Sequence, residues 1–308
     1  MTVKLLKGDC LELMKDIPDG SVDLILTDPP YGTMNGFNGI DWDFAIDPKE
    51  VYTIANRILR KNGKMVLFSQ EPYTSRLITE ARPNVPFSYR MIWEKNAFAN
   101  ALLVNKAPVS YYEDIIVFSK RECYEAIHPL KETMLKYVTK YGKDFIIKLF
   151  AQEGRYTSEL SARVHASYKF GFSDGMRFDL MNKTLYEYLS EHIDFSETYT
   201  ELKKVDTEYK QKYRSTFNLW EGSKYKSNIL KYKKDYDGYH PTQKPVALLE
   251  DLIKTFSNEG DTVVDLTMGS GSTGVAYVNT NRNFIGIELD SEYFNLAKER
   301  IENHEVTK

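Results

Sequence analysis

Residues Leu24 to Gly32 read LILTDPPYG, an apolar strand pattern running straight into an acid, two prolines and a tyrosine. Proline holds φ at about −65° and has no N–H, and the residue before it is pushed out of the helical region. Asp28, Pro29 and Pro30 therefore make a stiff extended corner at a strand end. Its carbonyls can accept hydrogen bonds, and Tyr31 sets a flat face beside them. Such a corner suits a planar group that carries an amino nitrogen. The competing reading is a plain strand exit, because Asp-Pro is common turn chemistry.

A second chemical stretch lies late in the chain. Gly269, Gly271 and Gly274 in TMGSGSTG have the spacing of a dinucleotide-type glycine loop, with a strand (Thr262 to Leu266) before it and a helix from Ser272 after it. Glu288 ends the next strand, Phe284 to Ile287. Glycines let backbone approach a ligand, and a carboxylate there accepts protons from sugar hydroxyls, so the pattern points to an adenosine-type ligand. No GxxxxGK[ST] pattern occurs, which disfavours a P-loop nucleotidase. A nicotinamide oxidoreductase remains a rival, but such a domain starts with its glycine loop and adds further strands. Here few residues follow Glu288, so strands from the start of the chain must complete the sheet. Both corners then fall at carboxyl ends of parallel strands, the edge where open α/β sheets hold ligands.

The elements that must position these stretches alternate. Val3 to Lys7 reads as a strand ending at Gly8-Asp9, Cys10 to Lys15 as a helical turn, and Val22 to Leu26 as a strand buried on both faces. Gly32 to Asp43 forms a glycine-rich loop in which Phe37 and Trp42 either close over a ligand or stay at the surface. A helix opens at Asp47-Pro48 and ends at Asn62-Gly63. Strand Lys64 to Ser69, a helix over Pro72 to Glu80 and strands Ser88 to Glu94 and Ile115 to Ser119 follow. Lys120 to Asp237 changes character, with helical segments such as Lys131 to Phe150 and Thr200 to Tyr213. Phe170 to Glu191 reads as a loop and helix like the second half of a small helical DNA reader. The stretch is an inserted recognition domain or, alternatively, a helical elaboration or dimer interface. From Tyr239 the α/β pattern returns, with HPTQKP starting a helix that runs to Ser257 and a last helix from Ser291 to Asn303.

Composition narrows the class. The 308 residues are 42% hydrophobic and 28% charged, the balance of a globular chain with ample core. No apolar run reaches membrane-spanning length, and the N-terminal stretch lacks a signal-peptide pattern, so a cytoplasmic protein is expected. Cys10 and Cys123 stand alone, which supports neither a disulfide framework nor a metal site. The net charge of −3 argues against a polyanion partner, yet Lys203 to Lys234 holds ten Lys/Arg against three Asp/Glu. Tyrosines are interleaved with them, which is the footprint of a nucleic-acid surface. A solvated helix face is the alternative.

Taken together, TDPPYG, DLTMGSGSTG, HPTQKP and FIGIELDSEYFNLAKERI resemble the amino-directed DNA methyltransferases of the permuted beta group. The resemblance spans Lys4 to Lys120 and Tyr239 to Ile301, and only loosely the middle. Thr267 departs from the aromatic or proline often found there, which is expected to alter packing more than chemistry. The resemblance implies a circularly permuted, doubly wound, mostly parallel seven-stranded Rossmann-like sheet, formed by residues 1–120 and 238–308. It also implies an inserted, mainly helical target-recognition domain over 121–237.

The implied cofactor is S-adenosylmethionine, held by Asp9, Cys10, His240, Thr242, Asp265, Gly269, Ser270, Gly271 and Glu288, with no metal. Asp9 faces the adenosine base, faces the flipped base, or simply forms a surface turn. Asp28, Pro29, Pro30 and Tyr31 are the implied catalytic set. Double-stranded DNA is the implied partner, contacted by Lys203, Lys204, Lys210, Lys212, Arg214, Lys224 and Lys226, with room for a homodimer and a cognate restriction endonuclease. DPPY favours adenine N6 as the acceptor. The alternatives are cytosine N4 methylation, RNA methylation and a non-catalytic DNA-binding subunit.

Overall fold

The computed structural model describes residues 2–32, 45–99, 104–121, 127–173, 177–220, 222, 224–235 and 243–304. Strand β1 (Val3–Lys7) leads through Asp9 into the short helix α1 (Cys10–Leu13), and β2 (Val22–Thr27) leads into the DPPY corner. Helix α2 (Pro48–Ile58) starts as its sequence requires, with the Asp47 carboxylate accepting the Lys49 amide at 2.9 Å. Its end differs from expectation, because Asn62-Gly63 lies inside β3 (Leu59–Ser69). Val22 pairs with Leu59 but Leu24 with Lys64, so the strand bulges there. Asn62 takes φ 65° in the bulge and donates its amide to the Lys120 carbonyl.

Helix α3 (Tyr73–Thr79) and strands β4 (Phe87–Ala99) and β5 (Ser110–Ser119) follow. Next come, among the described residues, the helices α4 (Pro129–Tyr141), α5 (Lys143–Gln152), α6 (Glu159–Phe170), α7 (Lys183–Ser190) and α8 (Tyr199–Lys212). The helical segment expected over Lys131 to Phe150 is two helices, because Gly142 at φ 86° interrupts it. The chain continues through β6 (Ile229–Lys231), α9 (Val246–Phe256), β7 (Thr262–Asp265), α10 (Ser272–Asn279), β8 (Asn283–Glu288) and α11 (Ser291–Glu302). Among the described residues no helix is long and apolar enough to cross a membrane.

Among the described residues the sheet has eight strands in the order β1-β8-β7-β2-β3-β5-β4-β6. Among its neighbouring pairs only β3–β5 and β5–β4 are antiparallel. Strands β7 and β8, late in the sequence, are hydrogen-bonded between β1 and β2, which is the permuted arrangement expected. The eighth strand, β6, was not foreseen and pairs parallel to β4. Alternation along β2 explains its unbroken apolar run: Leu24 and Leu26 join one core with α9, α10 and α11, and Ile25 joins the other with α2.

Two compact units are present, Met1–Arg121 with Ser215–Lys308, and Glu122–Arg214. The second is helical around Met134, Ile146, Phe150, Phe170, Leu185 and Leu202. The inserted unit therefore ends before residue 237. Residues 215–235 belong with the sheet because α9 carries a buried acid that gathers them. Asp251, 2% exposed, accepts from Trp220 Nε1 at 3.0 Å and Tyr232 Oη at 2.9 Å, and pairs with Lys226. The Asn218 side chain adds bonds to the Lys254 and Ser257 carbonyls, both 3.0 Å.

Candidate active site

Four adjacent parallel strands, in spatial order β1, β8, β7 and β2, each deliver an acid at or just past the carboxyl end: Asp9, Glu288, Asp265 and Asp28. The topology alone produces this row, because parallel strands end on one edge. Side chains then join the ends. Thr27 Oγ1 donates to Asp265 Oδ1 at 2.8 Å and lies 2.9 Å from Thr267 Oγ1, while Thr267 Oγ1 donates to the Asp28 carbonyl at 3.0 Å. Thr267, which departs from the family pattern, thus ties the glycine loop to the DPPY corner.

Asp28 is held at both oxygens. Tyr31 Oη donates to Oδ1 and Lys244 Nζ to Oδ2. Burial, the larger influence, raises the Asp28 pKa above the ordinary carboxylate value, against the lowering effect of Lys244; Glu113 raises it further. Lys244 also lies 3.2 Å from Glu113 Oε2, and Lys95 Nζ donates to Glu113 Oε1 at 3.0 Å. Pro29 is buried and Pro30 half-buried, and the half-buried Tyr31 ring lies 6.1 Å from that of Tyr73.

Glu288 accepts the Gly269 amide and the Asp290 amide, each at 2.8 Å, and burial raises its pKa nonetheless. Burial also raises the Asp265 carboxyl to about 6, although Thr273, Thr27 and the Thr267 amide bond to it. The glycines divide by role. A Cβ on Gly271 would meet Ala297 Cβ at 2.9 Å and one on Gly274 would run into Ile301 Cδ1, so these two permit α11 to pack closely. Gly269, at φ 51°, has open space at that position. Ser270 is buried, and its carbonyl accepts from Arg300 at 3.3 Å. Asp9 is exposed and caps α1 through the Leu11 amide at 2.8 Å; Cys10 is buried, its thiol pushed up to about 12 by desolvation. His240 and Thr242 fall outside the described residues, as do Phe37 and Trp42 of the expected closing loop.

The sequence profile of the N6/N4 DNA methylase family matches residues 22–299, across both corners and everything between. The chain belongs to that family. Among curated relatives it is 26% identical to DNA adenine methyltransferase YhdJ of Escherichia coli (strain K12), over 97% of this chain and 82% of the relative. It is 24% identical to Type II methyltransferase M2.MboI of Moraxella bovis, over 98% and 87%. In fold it is similar to the M1.HpyAVI–SAM complex, with TM-score 0.53 at 22% identity over 97% of this chain and 100% of that one. The cytosine-N4-specific PvuII DNA methyltransferase also gives TM-score 0.53, at 15% identity over 100% and 88%.

Sequence reasoning missed three side chains of this DNA methylase's candidate site: Lys244, Glu113 and Lys95. The signals were available, a lysine inside HPTQKP and an acid immediately before the apolar strand DIIVFS. Motif reading gave His240 and Thr242 of that stretch to the cofactor and gave neither Lys244 nor Glu113 a role. Gln243 was also passed over. It is 6% exposed, and neither amide atom has a hydrogen-bond partner among the described residues.

The basic residues expected to meet DNA do not share one unit: Lys203, Lys204, Lys210, Lys212 and Arg214 lie in the helical unit, Lys224 and Lys226 with the sheet. Several have internal roles. Lys203 and Lys210 reach the buried Asp206 at 3.0 and 2.9 Å, and Lys226 pairs with Asp251. The first five are nonetheless exposed, as is Lys224.

Proposed function

We propose that this DNA methyltransferase transfers the methyl group of S-adenosylmethionine to the exocyclic N6 of a flipped-out adenine. The observation that carries the reading is Asp28, fixed by Lys244 and Tyr31 at a strand end that Thr267 ties to the glycine loop. An exocyclic amino nitrogen is a weak nucleophile because its lone pair is delocalised into the ring. With Asp28 and the Pro29 carbonyl each accepting a hydrogen bond from one of its two N–H groups, the nitrogen is drawn toward tetrahedral geometry and its lone pair is aimed outward. Positioning and electrostatic stabilisation then supply most of the rate. Flipping the base costs a few kcal/mol, which stacking on Tyr31, about 1–3 kcal/mol, helps offset.

The residues along the strand ends fit S-adenosylmethionine. Glu288 retains lone pairs for sugar hydroxyls, Gly269 opens on free space, and the buried Gln243 amide has no partner among the described residues. Asp9, Cys10, Asp265, Ser270 and Gly271, with His240 and Thr242, complete the set proposed to hold it. When bound, it supplies an electrophilic methyl group on a cationic sulfur.

Adenine is preferred over cytosine because the corner reads DPPY and because a relative matched along most of this chain is named an adenine methyltransferase. The helical unit 122–214 is assigned to target recognition, with its exposed lysines on DNA phosphates. Type II names among the relatives fit a restriction-modification setting.

Single-molecule sequencing of DNA from cells expressing the chain tests this directly. N6-methyladenine at one recurring site is expected, and N4-methylcytosine instead would overturn the adenine assignment. Asp28→Ala should reduce transfer on the order of a thousandfold or more with cofactor binding retained. Undiminished turnover in that variant would remove Asp28 from the chemistry.

A further inference from the structure

Asp28 is one end of a row of four alternating charges. Lys244 bonds its Oδ2 and lies 3.2 Å from Glu113 Oε2, and Lys95 bonds Glu113 Oε1 at 3.0 Å. The Lys244, Glu113 and Lys95 side chains are only 7%, 11% and 3% exposed. Aromatic rings wall the row, with Phe68 5.1 Å from Lys244 and Trp93 5.6 Å from Lys95. A buried ion costs several kcal/mol when unpaired. Two cations and two anions in alternation balance, which is why the row can stand in such surroundings.

The fold puts Glu113 where it can act on Asp28. In the antiparallel pairing Ser69 of β3 faces Asp114 of β5, so the residues of β5 before Asp114 run past the sheet edge that bears Asp28. Alternation sends the two neighbouring acids to opposite faces. Asp114 accepts from Thr74 at 2.9 Å and faces Arg90, while Glu113 meets the lysines.

We propose that Glu113 is a positioning residue that divides the charge of Lys244, leaving Asp28 ionised but still basic enough to grip the amino protons of the target base. The inference rests on the reading of Asp28 given above. Bound to Asp28 alone, the Lys244 ammonium would draw electron density from the carboxylate and weaken its grip on a neutral N–H donor. Shared with Glu113, it orients Asp28 without quenching it. Among the described residues, the Tyr31 hydroxyl and Asp265 of β7 also bear on Asp28. Lys234 acts on Lys95, Glu113 and Lys244 one step away.

The test is the pH dependence of single-turnover methyl transfer by the full chain, from tritium-labelled S-adenosylmethionine to unmethylated genomic DNA. Activity requires ionised Asp28, so the rate falls on the acid side. Glu113→Gln removes a negative neighbour and should move that limb to lower pH by about half a unit or more, with a plateau about tenfold lower. Lys244→Met removes the counter-charge and should move it to higher pH. Glu113→Asp should restore the wild-type limb. Cofactor affinity by calorimetry should be unchanged in Glu113→Gln.

Limbs that stay put, or that shift in the same direction in both variants, overturn the proposal. So does a Glu113→Gln defect confined to cofactor affinity. Asp28→Ala is the reference: if it turns over undiminished, the reading of Asp28 falls on its own account. Turnover of Asp28→Asn, which keeps an acceptor oxygen without the charge, instead overturns the role given to Glu113. Should Glu113→Gln not fold, Lys95→Met serves instead. It leaves Glu113 less compensated, so an upward shift is expected and none is contradictory.

Discussion

Carboxylates crowd one sheet edge, and Asp28, Asp265 and Glu288 are kept there against the cost of burial by specific donors. Asp265 shows the balance. Its pKa of about 6 lies above the unfolded value, so folding favours the protonated form. The stability it contributes is therefore full below pH ~3.8 and lost as pH rises toward 6. Asp265→Asn keeps an oxygen for the Thr27 hydroxyl and the Thr267 amide, and should stabilise the chain at pH 7 by about 1–2 kcal/mol in urea unfolding. Weaker S-adenosylmethionine binding should accompany that gain.

Tyr31 does two jobs that can be separated. Its hydroxyl bonds Asp28, and its ring is the proposed stacking face. Tyr31→Ala should weaken a complex with a flipped base by about 1–3 kcal/mol more than nonspecific DNA binding. Tyr31→Phe should retain the stacking part, as read from the fluorescence of a base analogue at the target position.

At the scale of elements, the glycine loop is shaped as much by packing as by a ligand. Gly274 lets α10 lie against α11, where Ile301 is 5% exposed and has little room to retreat. Gly274→Ala should cost about 1–3 kcal/mol of stability, and pairing it with Ile301→Val should recover part of the loss in thermal melting. Additive losses in the double variant would place the strain elsewhere. The same element view explains two differences from expectation. A bulge at Asn62 extends β3, and Gly142 divides a helix, because each position takes a positive φ. Local sequence marks both as breaks without telling whether the chain turns, bulges or restarts.

At the scale of the molecule, the basic stretch divides between structural and exposed roles. Substituting Lys204 and Lys212 by Ala should lower the slope of log affinity against log salt by about 0.9 for each DNA phosphate that is no longer neutralised. Lys226→Ala should instead act on the fold. It strips a partner from the buried Asp251 and should cost about 3 kcal/mol, visible as a lower melting temperature. A change in salt slope without destabilisation would move Lys226 to the DNA surface.

The two corners, their strand-end positions and the permuted order of the sheet were legible from the amino-acid order. These are local matters: proline stiffness at DPPY, glycine spacing at GSGSTG, and apolar runs long enough to be buried strands. Membership of the DNA methylase family followed from the same stretches. What surrounds Asp28 depends on packing between distant segments. Lys244 is more than two hundred residues away in the chain and Glu113 more than eighty, and nothing in either neighbourhood states which charge will face which. The strand register that carries Glu113 past the sheet edge, and the entry into α9 that brings Lys244 to Asp28, are properties of the packed sheet. The end of the helical unit was hidden for the same reason. Nothing local to Trp220 or Tyr232 announces that α9 offers both of them the buried carboxylate of Asp251.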